Sequence, residues 1–128
     1  MDSQEYLREL ERKLAALRVE LRHLNLALGA ARAELAELAE LAVQARLDRT
    51  AATAPLRLDV YRLRLARQQL LAGIGACAKK IDTNLHTRID ALSTVSKIGD
   101  QKSLETKLGL YAQLRDLRAA ARLDAIAR

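Results

Sequence analysis

Leucine occupies positions 7, 10, 14, 17, 21, 24 and 28 without a miss. The steps alternate between three and four residues, the heptad spacing that lines apolar side chains along one narrow strip of an α-helix. With Leu7 at position a, the a line continues through Leu14, Leu21, Leu28, Leu35 and Ala42. The d line runs through Leu10, Leu17, Leu24, Ala31, Leu38 and Ala45, and no polar residue interrupts either line. A stripe with an average spacing of 3.5 residues stays in line only when helices supercoil left-handedly around one another, so it exists to be covered by another helix.

Composition removes the alternatives. Of the 128 residues half are apolar, yet Phe and Trp are absent and the aromatic residues are Tyr6, Tyr61 and Tyr111. The core is therefore aliphatic, and the abundance of Ala, Leu, Arg and Glu matches the long-helix and coiled-coil class. Asp2 ahead of Glu5 suits a helix N-terminus. The first helix is expected from about residue 3 to about residue 49.

The next punctuation is T-A-A-T-A-P, residues 50–55, which ends in Pro55, the one proline. Proline suits a first helical turn and not a helix interior, so a hairpin turn is expected there, with helix 2 over about 55–94. Its apolar set is Val60, Leu63, Leu70, Ile74, Ile81, Leu85 and Leu92, with an eleven-residue recurrence that straightens the stripe. L-R-L-D-V-Y-R-L-R-L, residues 56–65, also alternates as a strand does, but lies inside the longer helical pattern. Gly73 and Gly75 mark a bend, a close helix crossing or a hinge. Residues 93–100, S-T-V-S-K-I-G-D, mark a second turn, after which Ser103 caps a helix over about 103–127. Leu104, Leu108 and Tyr111, together with Leu110, Leu114, Leu117 and Ala121, make a face broad enough to meet two helices. The expected architecture is a single all-α domain over residues 1–128: a long antiparallel coiled-coil hairpin with a shorter third helix, up-down-up. Because the third helix reaches only part of the hairpin, some of the seam formed by Leu7, Leu10, Leu14, Leu17, Leu21, Leu24, Leu28, Leu35 and Leu38 should stay open to a partner.

Catalytic and metal chemistry lack their residues. His23 and His86 form no pair in sequence, and neither a Cys-x-x-Cys nor a His-Glu-x-x-His spacing occurs. Glu34, Glu37 and Glu40 have no Glu-x-x-His counterpart of the kind that completes a dimetal bundle, so they read as a solvated face. Cys77 stands alone in G-A-C-A-K-K and reads as a small packed residue. No cofactor and no enzymatic activity are expected. The start of the chain is charged and no apolar run is long enough to span a bilayer, so a cytoplasmic location and no membrane span are expected.

Charge supports a second reading. Residues 1–50 hold eight basic and nine acidic side chains, and residues 51–128 hold fourteen and seven. Arg57, Arg62, Arg64, Arg67, Lys79 and Lys80 face Asp59 alone, a candidate stripe for phosphates or an acidic protein. No base-stacking surface accompanies it, so nucleic acid would be held by its backbone only. A basic, leucine-seamed hairpin resembles the coiled-coil accessory subunits of bacterial export machines and the small subunits of tethering or scaffolding complexes. That likeness is one of periodicity; it implies an assembly role and assigns no residue. The expected function is a non-enzymatic helical adaptor or scaffold subunit whose partner is another helical protein or a second copy of itself. Backbone-directed nucleic-acid binding through residues 57–80 is the alternative.

Overall fold

A computed structural model describes residues 2–95 and 101–126 of the protein. The fold is all-α, with a long antiparallel helix pair and a shorter third helix: α1 (Ser3–Gln44), α2 (Arg49–Val95) and α3 (Gln101–Ile126), of 42, 47 and 26 residues. Among the described residues there is no strand, and residues 56–65 are helical throughout. Asp2 caps α1 as its position suggests: its Oδ1 accepts from the Glu5 amide at 2.7 Å, and its carbonyl accepts from the Tyr6 amide at 3.0 Å.

The hairpin turn lies earlier than residues 50–55. α1 ends at Gln44, not near residue 49, and α2 begins at Arg49, not near residue 55. The reversal is completed by residues 45–48. Arg46 takes a left-handed backbone, φ 58°. Its amide donates to the Val43 carbonyl at 3.1 Å, while the Leu47 amide reaches back to the Ala42 carbonyl at 2.8 Å. These two bonds are the Schellman arrangement, which satisfies carbonyls that the end of a helix leaves without partners. Asp48 then opens α2, accepting from the Thr50 amide on Oδ1 at 3.0 Å and from the Ala52 amide on its carbonyl at 2.9 Å. T-A-A-T-A-P is thus the first turns of α2, and Pro55 sits inside the helix. Proline there withholds the bond to the Ala51 carbonyl. Thr53 and Arg57 brace the same turns: Thr53 Oγ1 donates to the Arg49 carbonyl at 2.7 Å, and Arg57 donates to Thr53 Oγ1 at 3.2 Å and to the Thr50 carbonyl at 2.8 Å.

The chain divides into two compact units, Leu17–Ala72 and Met1–Ala16 with Gly73–Arg128. In the Leu17–Ala72 unit two antiparallel helices bury Leu21, Leu28, Ala39 and Ala42 of α1 against Thr53, Val60 and Leu71 of α2. Arg67 donates through Nε to Asn25 Oδ1 at 2.8 Å, a polar bond between the two helices. A lone polar pair beside an aliphatic seam helps to fix the pairing register.

The other unit has three helices. Leu7, Leu10 and Leu14 of α1, Ile74, Cys77, Ala78, Ile81, Leu85 and Ile89 of α2, and Leu110 and Leu114 of α3 are buried. Cys77 is packed, with its thiol 3.3 Å from the Leu10 carbonyl. Of the eleven-residue series on α2, Ile74, Ile81 and Leu85 are buried while Leu63, Leu70 and Leu92 are half-buried, and Leu71 and Ile89 are buried beside them. At Gly73, where α2 runs on unbroken, an added Cβ would meet no heavy atom within 4 Å, so close helix crossing does not account for this glycine. Ser103 lies within the first turn of α3 and not ahead of it. The expected second turn falls largely on residues 96–100, outside the described residues, as does the expected end of helix 3 at residue 127.

The turn chemistry gives opposite signs at two neighbouring positions. Arg46→Gly removes the left-handed strain on a side-chain-bearing residue and should raise stability by roughly 0.5–1 kcal/mol. Asp48→Ala removes the cap of α2 and should lower it by about 1 kcal/mol. Urea unfolding followed by circular dichroism reads both; neither substitution should matter if the chain reversed at residues 50–55.

Candidate helix-binding surface

The leucine seam is covered unevenly. Leu7, Leu10, Leu14, Leu21 and Leu28 are buried, whereas Leu17, Leu24, Leu35 and Leu38 are half-buried. In the Leu17–Ala72 unit the two buried leucines, Leu21 and Leu28, are on the a line, which also holds the half-buried Leu35, and the d residues Leu17, Leu24, Ala31 and Leu38 are all half-buried. Leu21 and Leu28 belong to the a line that meets α2; Leu24, Ala31 and Leu38 each follow an a residue by three and sit about 60° to one side of it. α2 repeats the pattern. Leu56, Leu63 and Leu70 each follow a member of the line Thr53, Val60 and Arg67 by three, and all three leucines are half-buried. In an antiparallel pair, like positions on the two helices open on the same flank. The two half-buried rows therefore form one apolar face of the hairpin.

Its rim has a charge pattern of its own. The residues just before the a line are Glu20, Ala27, Glu34 and Leu41 on α1, and those before the matching line of α2 are Ala52, Asp59 and Ala66; all are exposed except the half-buried Ala52. Apart from Leu41, the rim within this unit is acidic or small, with no cation at those positions. Nearly opposite on α2, Leu58, Tyr61 and Leu65 are 46%, 63% and 43% exposed at spacings of three and four. This outward stripe hides in the sequence because it shares its segment with the buried Val60 line. The spacing i, i+3, i+7 is the signal that reveals it.

Within the Leu17–Ala72 unit Arg57, Arg62, Arg64 and Arg67 do not all lie along one side of α2. Arg57 is bonded within its own helix and Arg67 to Asn25. At about 100° per residue, Arg57 and Arg64 share a side of α2, while Arg62 falls roughly 150° away. Arg62 and Arg64 flank the Leu58–Tyr61–Leu65 stripe. Lys79 and Lys80 line, with Tyr6, Ala76, Thr83, Asn84 and Thr87, a shallow groove of about 540 Å³ in the other unit.

α3 buries Leu110 and Leu114 but leaves Leu104, Leu108 and Tyr111 exposed, so its broad apolar face meets helices on one side only. Arg118 ties α3 to α2 through Asp82 at 3.0 Å. That hydrogen bond is the main cause holding the Arg118 guanidinium above its ordinary pKa; desolvation opposes it and the Asp82 charge adds to it. Arg118 Nη2 also lies 2.7 Å from His86 Nε2, which accepts when the imidazole proton is on Nδ1. Among the described residues, no group of three or more His, Cys, Asp or Glu converges to hold a metal ion, and no helix is long and apolar enough to cross a membrane. No protein-family model matches the chain, and neither a curated protein nor a solved structure matches it.

Burial grades the seam, and truncation should follow it. Leu21→Ala should cost about 2–5 kcal/mol, the range of a core leucine. Leu24→Ala, half-solvated already, should cost roughly half as much, because less apolar area returns to water. Thermal unfolding of the two single variants checks the ratio; equal losses would mean that the d row is as fully covered as the a row.

Proposed function

We propose that the protein is a non-enzymatic helical adaptor or scaffold subunit that binds a partner helix by coiled-coil packing. One observation carries the reading: the half-buried face of the Leu17–Ala72 unit, made of Leu24, Ala31 and Leu38 beside Leu56, Leu63 and Leu70. A continuous apolar row that is neither buried nor interrupted by charge is unfavourable in water and gains free energy when a third helix lies along it. An amphipathic helix with anchors at i, i+3/i+4 and i+7 fits such a row. Dispersal of the arginines around α2, with two of them engaged inside the chain, speaks for protein contact over a phosphate track.

Salt separates the two modes. The full chain, used to retrieve partners from native extract at about 0.1 and 0.5 M salt, should retain a protein partner at both concentrations, since apolar packing is not screened. Leu24→Gln with Leu38→Gln, shown by circular dichroism to stay helical, should lose it. Recovery of nucleic acid alone, released by the higher salt, would replace this reading with backbone-directed binding.

A further inference from the structure

The Leu17–Ala72 unit carries two surfaces whose chemistry is matched. One is the apolar face bordered by Glu20, Glu34 and Asp59. The other is the exposed stripe Leu58, Tyr61 and Leu65, with Arg62 on one side and Arg64 on the other. None of these five charged residues makes an ion pair within the described residues. We propose that the acidic-rimmed face of one copy receives the arginine-flanked Leu58–Tyr61–Leu65 stripe of a second copy, joining chains head to tail. The inference rests on the reading of that face as a helix-binding surface and names what occupies it.

Three observations select this occupant. The stripe is a ready-made amphipathic helix face, with apolar residues at i, i+3 and i+7 and a rigid backbone, so little ordering entropy is lost on docking. Its cations meet the carboxylates of the rim, a complementary pairing that sets orientation and register. The competing arrangement, face against face about a twofold axis, brings Glu20, Glu34 and Asp59 toward their own copies, and like charges opposed across an interface disfavour it.

Geometry then sets the symmetry. Leu63, in the receiving face, and Leu65, in the stripe, are two residues apart and point about 160° from each other around α2. One copy therefore engages a neighbour through each surface at once, and the contact is heterologous. Such contacts repeat until a ring closes, or run on as a filament.

Sedimentation of the purified full chain over a concentration series tests this. The wild type should grow through successive multimers and not stop at two. Glu20→Lys with Glu34→Lys disables the face; Leu58→Gln with Tyr61→Gln and Leu65→Gln disables the stripe. All five positions are exposed, so both variants should keep wild-type helicity by circular dichroism while each sediments as a monomer. An equimolar mixture has one working face and one working stripe and should give a one-to-one dimer that grows no further. Adding Arg62→Glu and Arg64→Glu to the Glu20→Lys, Glu34→Lys chain swaps the charges across the contact and should restore growth. A wild type that is monomeric throughout, or that stops at a dimer, overturns the proposal. So does a mixture that stays monomeric. In those cases retention of a foreign protein from extract still decides the adaptor reading independently.

Discussion

Two helices in contact share a single line of side chains, and the Leu17–Ala72 unit is made of one segment of α1 and one of α2. One helix about 10 Å across covers a strip and leaves its margins to water. That is why the a line of α1 disappears at Leu21 and Leu28 while Leu24, Ala31 and Leu38 stop halfway. Where three helices pack, the same heptad letters behave differently: Leu10, a d residue, is as buried as Leu7 and Leu14. The number of neighbours, not the apolar character of the position, decides coverage.

Polar residues then choose among the many pairings that an aliphatic seam alone would allow. Leucine lines slide past one another by a heptad at little cost, because each leucine finds an equivalent pocket. Asn25 and Arg67 do not, since each finds its 2.8 Å partner in one register only. The Arg46 and Asp48 backbone arrangement fixes where the chain reverses. Arg118 on Asp82 plays a comparable part for α3, although an exposed pair of this kind directs more than it stabilises.

The functional reading grows from the same incompleteness. On the proposed reading, the half-buried apolar row of the hairpin and its acidic border receive a helix, and the outer side of α2 offers one with matching arginines. Asp59 and Arg62 lie three residues apart in sequence yet belong to different surfaces, one to the receiving face and one to the stripe. Arg57 and Arg67, two of the cations of residues 51–128, are engaged in bonds within the chain.

Periodicity determined a good deal unaided. Heptads without interruption require helices that cover one another, and a composition lacking Phe and Trp requires an aliphatic core, so the helix pair and the shorter third helix were legible from residues 7–45, 56–92 and 104–121. Local chemistry misled at one place: Pro55 marks a helix start by propensity, but Asp48 supplied the cap, and α2 begins at Arg49, six residues ahead of the proline. Only the tertiary structure decided which side of each line is buried. A leucine at d reads identically in sequence whether one helix or two lie against it, and a stripe such as Leu58, Tyr61 and Leu65 reads as core until the Val60 line is seen to have taken that place. Burial is a property of neighbours brought together from far along the chain, and a local pattern records only which side chains are able to be buried.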